Sequence, residues 1–194
     1  PASVPNIHWC IDHGVHAVVG TSGIPGAEVE AIPQRLKEQG ERSGVFIAPN
    51  FAIGAVMMMR FARIAAAWMP DAEIIEAHHA SKRDAPSGTA MATADQIAAG
   101  RTEARMASSD RPVETVEVLA SARGGDRDGV HVHSVRLPGV VANQDVIFGA
   151  PGQTLTISHV TTDRVAFMPG VLLAIREIGS HAGLTVGLEH FLGL

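Results

Sequence analysis

The amino-acid sequence predicts an α/β protein, with a doubly wound parallel sheet first and an α+β region built on a mixed sheet after it. Three observations predict this. Short apolar runs alternate with helix-length amphipathic stretches in the first third of the chain, as in a parallel sheet covered on both faces. Several strand-like runs then follow one another between residues 113 and 160 with little helix among them. The chain has 194 residues, 46% of them apolar and 18% charged, so it can bury a core as one domain or two small ones.

Residues 3–13 have helical spacing, with Ser3 as the expected N-cap and Gly14 as the stop. VHAVVG (15–20) is a short buried strand, and TSGIPG (21–26) is a loop. AEVEAIPQRLKEQG is a second helix, stopped at Gly40 and expected to be kinked or divided by Pro33. GVFIA (44–48) is a second buried strand, followed by the loop PNFAIG (49–54) and the helix AVMMMRFARIAAAW. In a doubly wound sheet, ligands sit beyond the carboxyl ends of the strands, where the loops after Val19 and Ile47 lie.

AEIIEAHH (72–79) is a strand ending in two histidines, and SGTAMATADQIAAG (87–100) is a helix. TEARMASSDR is polar and expected to be loop. VETVEVLA (113–120), HVHSVRL (131–137), DVIFG (145–149) and QTLTISHV (153–160) are strand-like, with SARGGDRDG (121–129) as a connection. MPGVLLAIREIGS is a final helix in which Gly170 is a weak point.

Composition excludes some functions. The formal net charge is −5 with no basic stripe, and Tyr is absent, so a nucleic-acid partner is not expected. No apolar run reaches the ~18 residues of a membrane helix, so no membrane partner is expected either. Cys10 is the single cysteine, which forbids an intrachain disulfide, fits the cytoplasm, and is expected to be a small buried hydrophobe. The chain starts at Pro1 and enters helical spacing at once, which suggests a missing N-terminal piece.

The chemistry concentrates in EAHHASKRDAPSGTA, residues 76–90. Pro86 sets the backbone before the helix and Ser87 caps it, so the amides of Gly88 and Thr89 face outward at a helix start. Such a terminus holds anions, and Gly88 allows close approach. Lys82 adds positive charge, and His78 can exchange protons near neutral pH. The segment therefore suits a carboxylate or phosphate. The plainer alternative is a capped helix beside a solvated lysine.

Other candidates are weaker. GTSGIPG has glycines at 20, 23 and 26, but Pro25 removes an amide and no acidic residue closes the next strand, so it suits a cofactor edge better than a pyrophosphate. His78 and His79 are adjacent at a strand end and point apart, so no metal site is expected there. His131 and His133 should share one strand face, with no chemistry assigned. Glu114 and Glu117 are expected to be solvated, and Asp163 and Arg164 to open the last helix.

Residues 76–90 match every fixed position of E-x-H-H-x-x-K-x-D-x-P-S-G-T-A, and so closely resemble the signature of the dihydrodipicolinate (4-hydroxy-tetrahydrodipicolinate) reductase family of diaminopimelate and lysine biosynthesis. HAVVGTSG resembles the family's V-x-G-T-T-G loop with Ser22 in place of the second Thr. IAPNFAIG and LTISHVTTDRVAFMPGVLLA resemble its second loop and its closing strand and helix, so the likeness spans essentially the whole chain.

The resemblance implies a reductase of a cyclic dicarboxylate that uses NADH or NADPH. It implies His78 as proton donor and acceptor, Lys82 as a second proton donor, and His79, Gly88 and Thr89 as substrate contacts. Gly20, Thr21, Ser22, Ala48, Pro49, Asn50 and Phe51 would meet the nicotinamide end of the cofactor, with Arg164 a further candidate. It implies a Rossmann-like remnant at 1–50, a substrate and tetramerisation domain at 51–163, and a C-terminal helix at 164–194 returning to the first part. A cytoplasmic homotetramer joined through the strands of 113–160 is expected. Family members open with a pyrophosphate-binding strand and loop that precede what corresponds to Pro1, so poor dinucleotide binding by this chain is expected. Two rival readings remain: a non-catalytic, oligomeric dicarboxylate-binding fragment, and a zinc hydrolase using His78 and His79.

Overall fold

The computed structural model describes residues 2–21, 23–107 and 116–194. In chain order the elements are α1 (Ser3–Asp12), β1 (Ala17–Val19), α2 (Gly26–Glu38), β2 (Gly44–Ile47), α3 (Ile53–Ala66), β3 (Asp71–His78) and α4 (Gly88–Ala104). There follow β4 (Gly125–Arg127), β5 (Val130–Arg136), β6 (Ala142–Ala150) and β7 (Gln153–Thr161). Short 3-10 helices at Arg164–Phe167 and Ile178–Ser180 flank α5 (Met168–Glu177), and β8 (Gly183–Val186) and α6 (Glu189–Leu192) complete the chain. The chain forms two compact units, residues 1–56 with 165–194, and residues 57–164.

The first unit holds a three-stranded parallel sheet in the order β1-β2-β8. β2 is buried along its whole length, as its unbroken apolar run GVFI requires in a sheet covered on both faces. Ile7, Ile11, Ile32 and Leu36 pack from α1 and α2 onto Ala17, Val45 and Ile47. Cys10 is half-buried at the edge of this core. Gly14 ends α1 in the left-handed region at φ +65°, and Gly40 lies at φ +73° beyond α2.

The second unit is a five-stranded mixed sheet in the order β4-β5-β3-β6-β7. β3 runs parallel to β5 and antiparallel to β6, with α4 as the crossover between the two parallel strands. Ala72, Ile74, Val130, Val132, Val146 and Phe148 face Ala90, Ala94 and Ile97 of α4, together with Met58, Ala62 and Ala66 of α3. A Cβ at Gly100 would collide with the carbonyl of Arg63, so the two helices cross at backbone distance. The buried Arg101 anchors α4 by donating to the carbonyls of Pro70 (2.6 Å) and Asp128 (3.0 Å).

Several expectations need correction. Ser3 does not cap α1: Ala2 holds that position, and the Ser3 hydroxyl donates to Thr21 Oγ1 at 2.9 Å. α2 runs undivided through Pro33 because Ile32 and Leu36, on either side of it, are locked in the core. α4 continues into the polar stretch expected to be loop, as far as Ala104. Val116–Ala120, the described part of the strand expected at 113–120, forms no strand, and Glu114 lies outside the described residues. Glu117 is exposed but accepts from the amides of Ser121 and Arg123. β4 lies within the expected connection, and β8 and α6 fall where no element was expected. Arg164 opens a 3-10 helix rather than the last α-helix. Gly170 is no weak point, since a Cβ there would overlap the carbonyl oxygen of Phe51. No described helix is long and apolar enough to cross a membrane.

Candidate active site

Strand periodicity builds the centre of the site. Ala72, Ile74, Glu76 and His78 alternate along β3 and so share the face that packs under α4. Ala72 and Ile74 enter the core, but the next inward position is a carboxylate. Glu76 has no exposed surface. Its cost of burial is met by bonds to both of its oxygens. Arg136, at the end of β5, grips both carboxylate oxygens, with Nη1 donating to Oε2 at 2.9 Å and Nη2 to Oε1 at 2.8 Å. The Ser87 amide donates to Oε1 at 3.2 Å, and His78 Nδ1 lies 2.6 Å from Oε2.

Burial pushes the Glu76 carboxyl up, but the bonds from Arg136, Ser134 and His78 outweigh it and hold the group below its ordinary range. Burial pushes the His78 imidazole down, and the neighbouring Glu76 carboxylate only partly offsets this. His78 is therefore neutral at pH 7, with its side chain 15% exposed.

β3 ends at His78, and the chain turns through residues 79–87 into α4. Ser87 caps that helix, its hydroxyl accepting from the Ala90 amide at 3.2 Å. Gly88 and Thr89 are the first two helical residues, with Gly88 exposed and Thr89 half-buried. Within α4, Thr93 donates back to the Thr89 carbonyl at 2.8 Å, and the buried Gln144 of β6 donates to Thr93 at 2.7 Å. The helix start is thus tied to the sheet on two sides. His79 leaves in another direction, its Nδ1 meeting the Ser81 hydroxyl at 2.8 Å.

Lys82 is not a solvated lysine. Its Nζ donates to both oxygens of Asp84, at 2.7 and 2.9 Å, and this bond holds the Asp84 carboxyl below its usual range. The Asp84 carbonyl in turn accepts from Arg136 Nη2 at 2.7 Å. The second unit therefore gathers an imidazole, an ammonium and a helix start around one guanidinium–carboxylate pair. Such a cluster can receive an anion and transfer a proton beside it.

The remaining predicted positions lie in the first unit, at the carboxyl edge of its sheet. Gly20 and Thr21 follow β1, and Ala48, Pro49, Asn50 and Phe51 follow β2. The two loops touch, since a Cβ at Gly20 would come 2.9 Å from Phe51 Cε2. The Ala48 amide donates to the Val19 carbonyl at 3.0 Å, and Asn50 Oδ1 accepts from the Ala52 amide at 2.8 Å. In parallel sheets, ligands bind beyond the carboxyl ends of the strands, where these two loops lie. Ser22 lies outside the described residues.

Glu76 and Arg136 went unassigned in the sequence. The signal for Glu76 was its place in the period-two register of Ala72 and Ile74, a lone acid in a row of core positions. Arg136 is opposite His78 only through the pairing of β3 with β5, which sequence spacing does not give. Among the described residues, no group of three or more His, Cys, Asp or Glu is arranged to hold a metal ion.

The chain is similar to known proteins over nearly its whole length. The family described as "Dihydrodipicolinate reductase, C-terminus" matches residues 54–192. A 4-hydroxy-tetrahydrodipicolinate reductase of Corynebacterium diphtheriae is 51% identical over 97% of this chain and 75% of its own length. That of Nocardia farcinica is 53% identical over the same shares. Among solved structures, a dipicolinate-bound dihydrodipicolinate reductase from Paenisporosarcina sp. TG-14 superposes with a TM-score of 0.83 at 41% identity. The match covers 97% of this chain and 69% of that one.

Proposed function

The chain belongs to the dihydrodipicolinate reductase family, and on that premise we propose that His78 and Lys82 are its proton-handling pair and that Gly88 and Thr89 grip a substrate carboxylate. Its activity is the reduction of 4-hydroxy-tetrahydrodipicolinate with a nicotinamide cofactor, in diaminopimelate and lysine biosynthesis. The observation that carries the residue assignment is the convergence of His78, Lys82 and the capped start of α4 on one end of β3. The dipicolinate bound by the Paenisporosarcina reductase supports a planar dicarboxylate as the ligand of this place.

A bound NADH or NADPH supplies hydride to the electrophilic ring carbon of the substrate. The chain's own residues do the rest. The helix start and Lys82 bind and orient the dianion, with the ammonium exchanging Asp84 for a substrate carboxylate. His78 takes up a proton at Nε2, the nitrogen not engaged with Glu76, and delivers it to the substrate ring from the doubly protonated imidazole. His79 contributes a further polar contact. Gly20, Thr21, Ser22 and residues Ala48, Pro49, Asn50 and Phe51 cradle the nicotinamide end. Support for that assignment is the contact between the two loops at the sheet's carboxyl edge.

Assembly as a homotetramer through the mixed sheet belongs to the same proposal. In its support, β7 is a nine-residue edge strand with Leu155 and Val160 exposed, a surface that invites covering. Sedimentation tests this, and a purely monomeric species would contradict it. Calorimetric titration with dipicolinate tests the carboxylate grip. Binding to the native protein, weakened at least about tenfold in Lys82→Ala, is expected; equal affinity of the two would remove Lys82 from the site.

A further inference from the structure

We infer that Glu76 is the positioning residue for His78: clamped by Arg136, its carboxylate fixes the imidazole with the proton on Nδ1 and leaves Nε2 for the substrate. This rests on the assignment of His78 as the proton-handling group. The balance of donors and acceptors fixes the tautomer. Glu76 already accepts from Arg136 Nη1, Arg136 Nη2 and the Ser87 amide, all of which can only donate. A carboxylate held ionised by such partners has no proton to give. The 2.6 Å contact with His78 Nδ1 is then an N–H donated by the ring. A neutral imidazole with its proton on Nδ1 has its lone pair on Nε2.

The carboxylate cannot turn away. Arg136 Nη1 also donates to the Val135 carbonyl at 2.7 Å and Nη2 to the Asp84 carbonyl at 2.7 Å, so the clamp is itself held by β5 and by the turn that carries Lys82. Glu76 thus joins the proton-handling ring, the helix cap and the turn in one rigid unit. The charged groups facing His78 are Glu76 from its own strand, Arg136 from β5, and Lys82 with its partner Asp84 from the turn. The two cations disfavour imidazolium, and Glu76 is the group that favours it. When proton transfer needs a proton on Nε2, the carboxylate stabilises the doubly protonated ring.

Two measurements test this. The first is the ring tautomer in the native protein, from nitrogen chemical shifts of 15N-histidine-labelled protein, with the resonance assigned by its loss in His78→Gln. The Nδ1–H form is expected, and a dominant Nε2–H form overturns the proposal. The second is turnover of Glu76→Gln and Glu76→Asp against pH. Glu76→Gln is expected to lower kcat by about 10- to 100-fold with a near-native KM for cofactor, less than the roughly 10²–10⁴-fold contribution of the acid itself. Its alkaline limb should move about one pH unit lower, because the neutral amide no longer supports imidazolium. Glu76→Asp keeps the charge and should keep the limb near its native position. A native profile in a stably folded Glu76→Gln overturns the inference. If Glu76→Gln does not fold, the tautomer decides. Full activity of His78→Gln would instead sink the assignment on which the inference rests.

Discussion

Lys82 Nζ sits 2.7 and 2.9 Å from the two carboxylate oxygens of Asp84, so the ammonium proposed to meet substrate is held by a carboxylate of its own chain. The pair is unequal: the Lys82 side chain is mostly covered and that of Asp84 mostly exposed. An exposed partner of this kind holds by at most about 1 kcal/mol. A doubly charged ligand can therefore displace it.

Asp84→Asn should free that ammonium. Dipicolinate is expected to bind up to about fivefold more tightly, with the gain shrinking as salt is added. The bond from Arg136 to the Asp84 carbonyl survives the substitution, because it uses main chain. Calorimetric titration at two ionic strengths checks this. Weaker binding at both would show that Asp84 orients Lys82 for the substrate instead of competing with it.

Gly170→Ala should destabilise the first unit. The new methyl would overlap the carbonyl oxygen of Phe51 and press within 3.0 Å of Leu188 Cδ2. Overpacking against backbone costs about 1–3 kcal/mol. A fall in the urea midpoint is expected, together with weaker nicotinamide binding, since Phe51 belongs to the proposed cofactor loop. An unchanged midpoint would mean that α5 shifts without cost.

Acid should weaken the second unit in two stages. His78 titrates lower in the folded chain than its ordinary 6.5, so the unfolded chain binds the proton first and stability starts to fall below that pH. Glu76 titrates below its ordinary 4.5, so its contribution is whole above that value and is lost as pH drops through the lower folded pKa. Thermal melts from about pH 7 to about pH 3 should show the first decline in native protein and a flatter one in His78→Gln. Identical profiles for the two would remove His78 as its source.

Much of this architecture was legible because local chemistry and tertiary role coincide. The apolar run at 44–48 has no polar face, and its strand β2 is buried throughout, whereas of the run at 15–20 only residues 17–19 form a strand, with Ala17 buried and Val15 and His16 exposed. Ser87 before Gly88 and a run of helix formers marks a helix start, and that helix is the one that closes over the site. What stayed hidden depends on pairing across the chain. Arg136 meets Glu76 only because β5 lies beside β3, 60 residues apart in sequence. β4 pairs through backbone alone and carries the charged, exposed sequence Gly-Asp-Arg, which shows no strand pattern. Gly170 looks like a helix weakness until Phe51 lies against it.

The central claim, that His78 is the group that moves the ring proton, is tested most directly by kcat for NAD(P)H oxidation in His78→Gln beside native protein, with dipicolinate affinity measured on both. Loss of about 10²–10⁴-fold in kcat with affinity within a few-fold of native is the predicted result, because the ring is asked for proton transfer and not for binding. Near-native turnover would contradict the account and pass the role to Lys82 or to solvent.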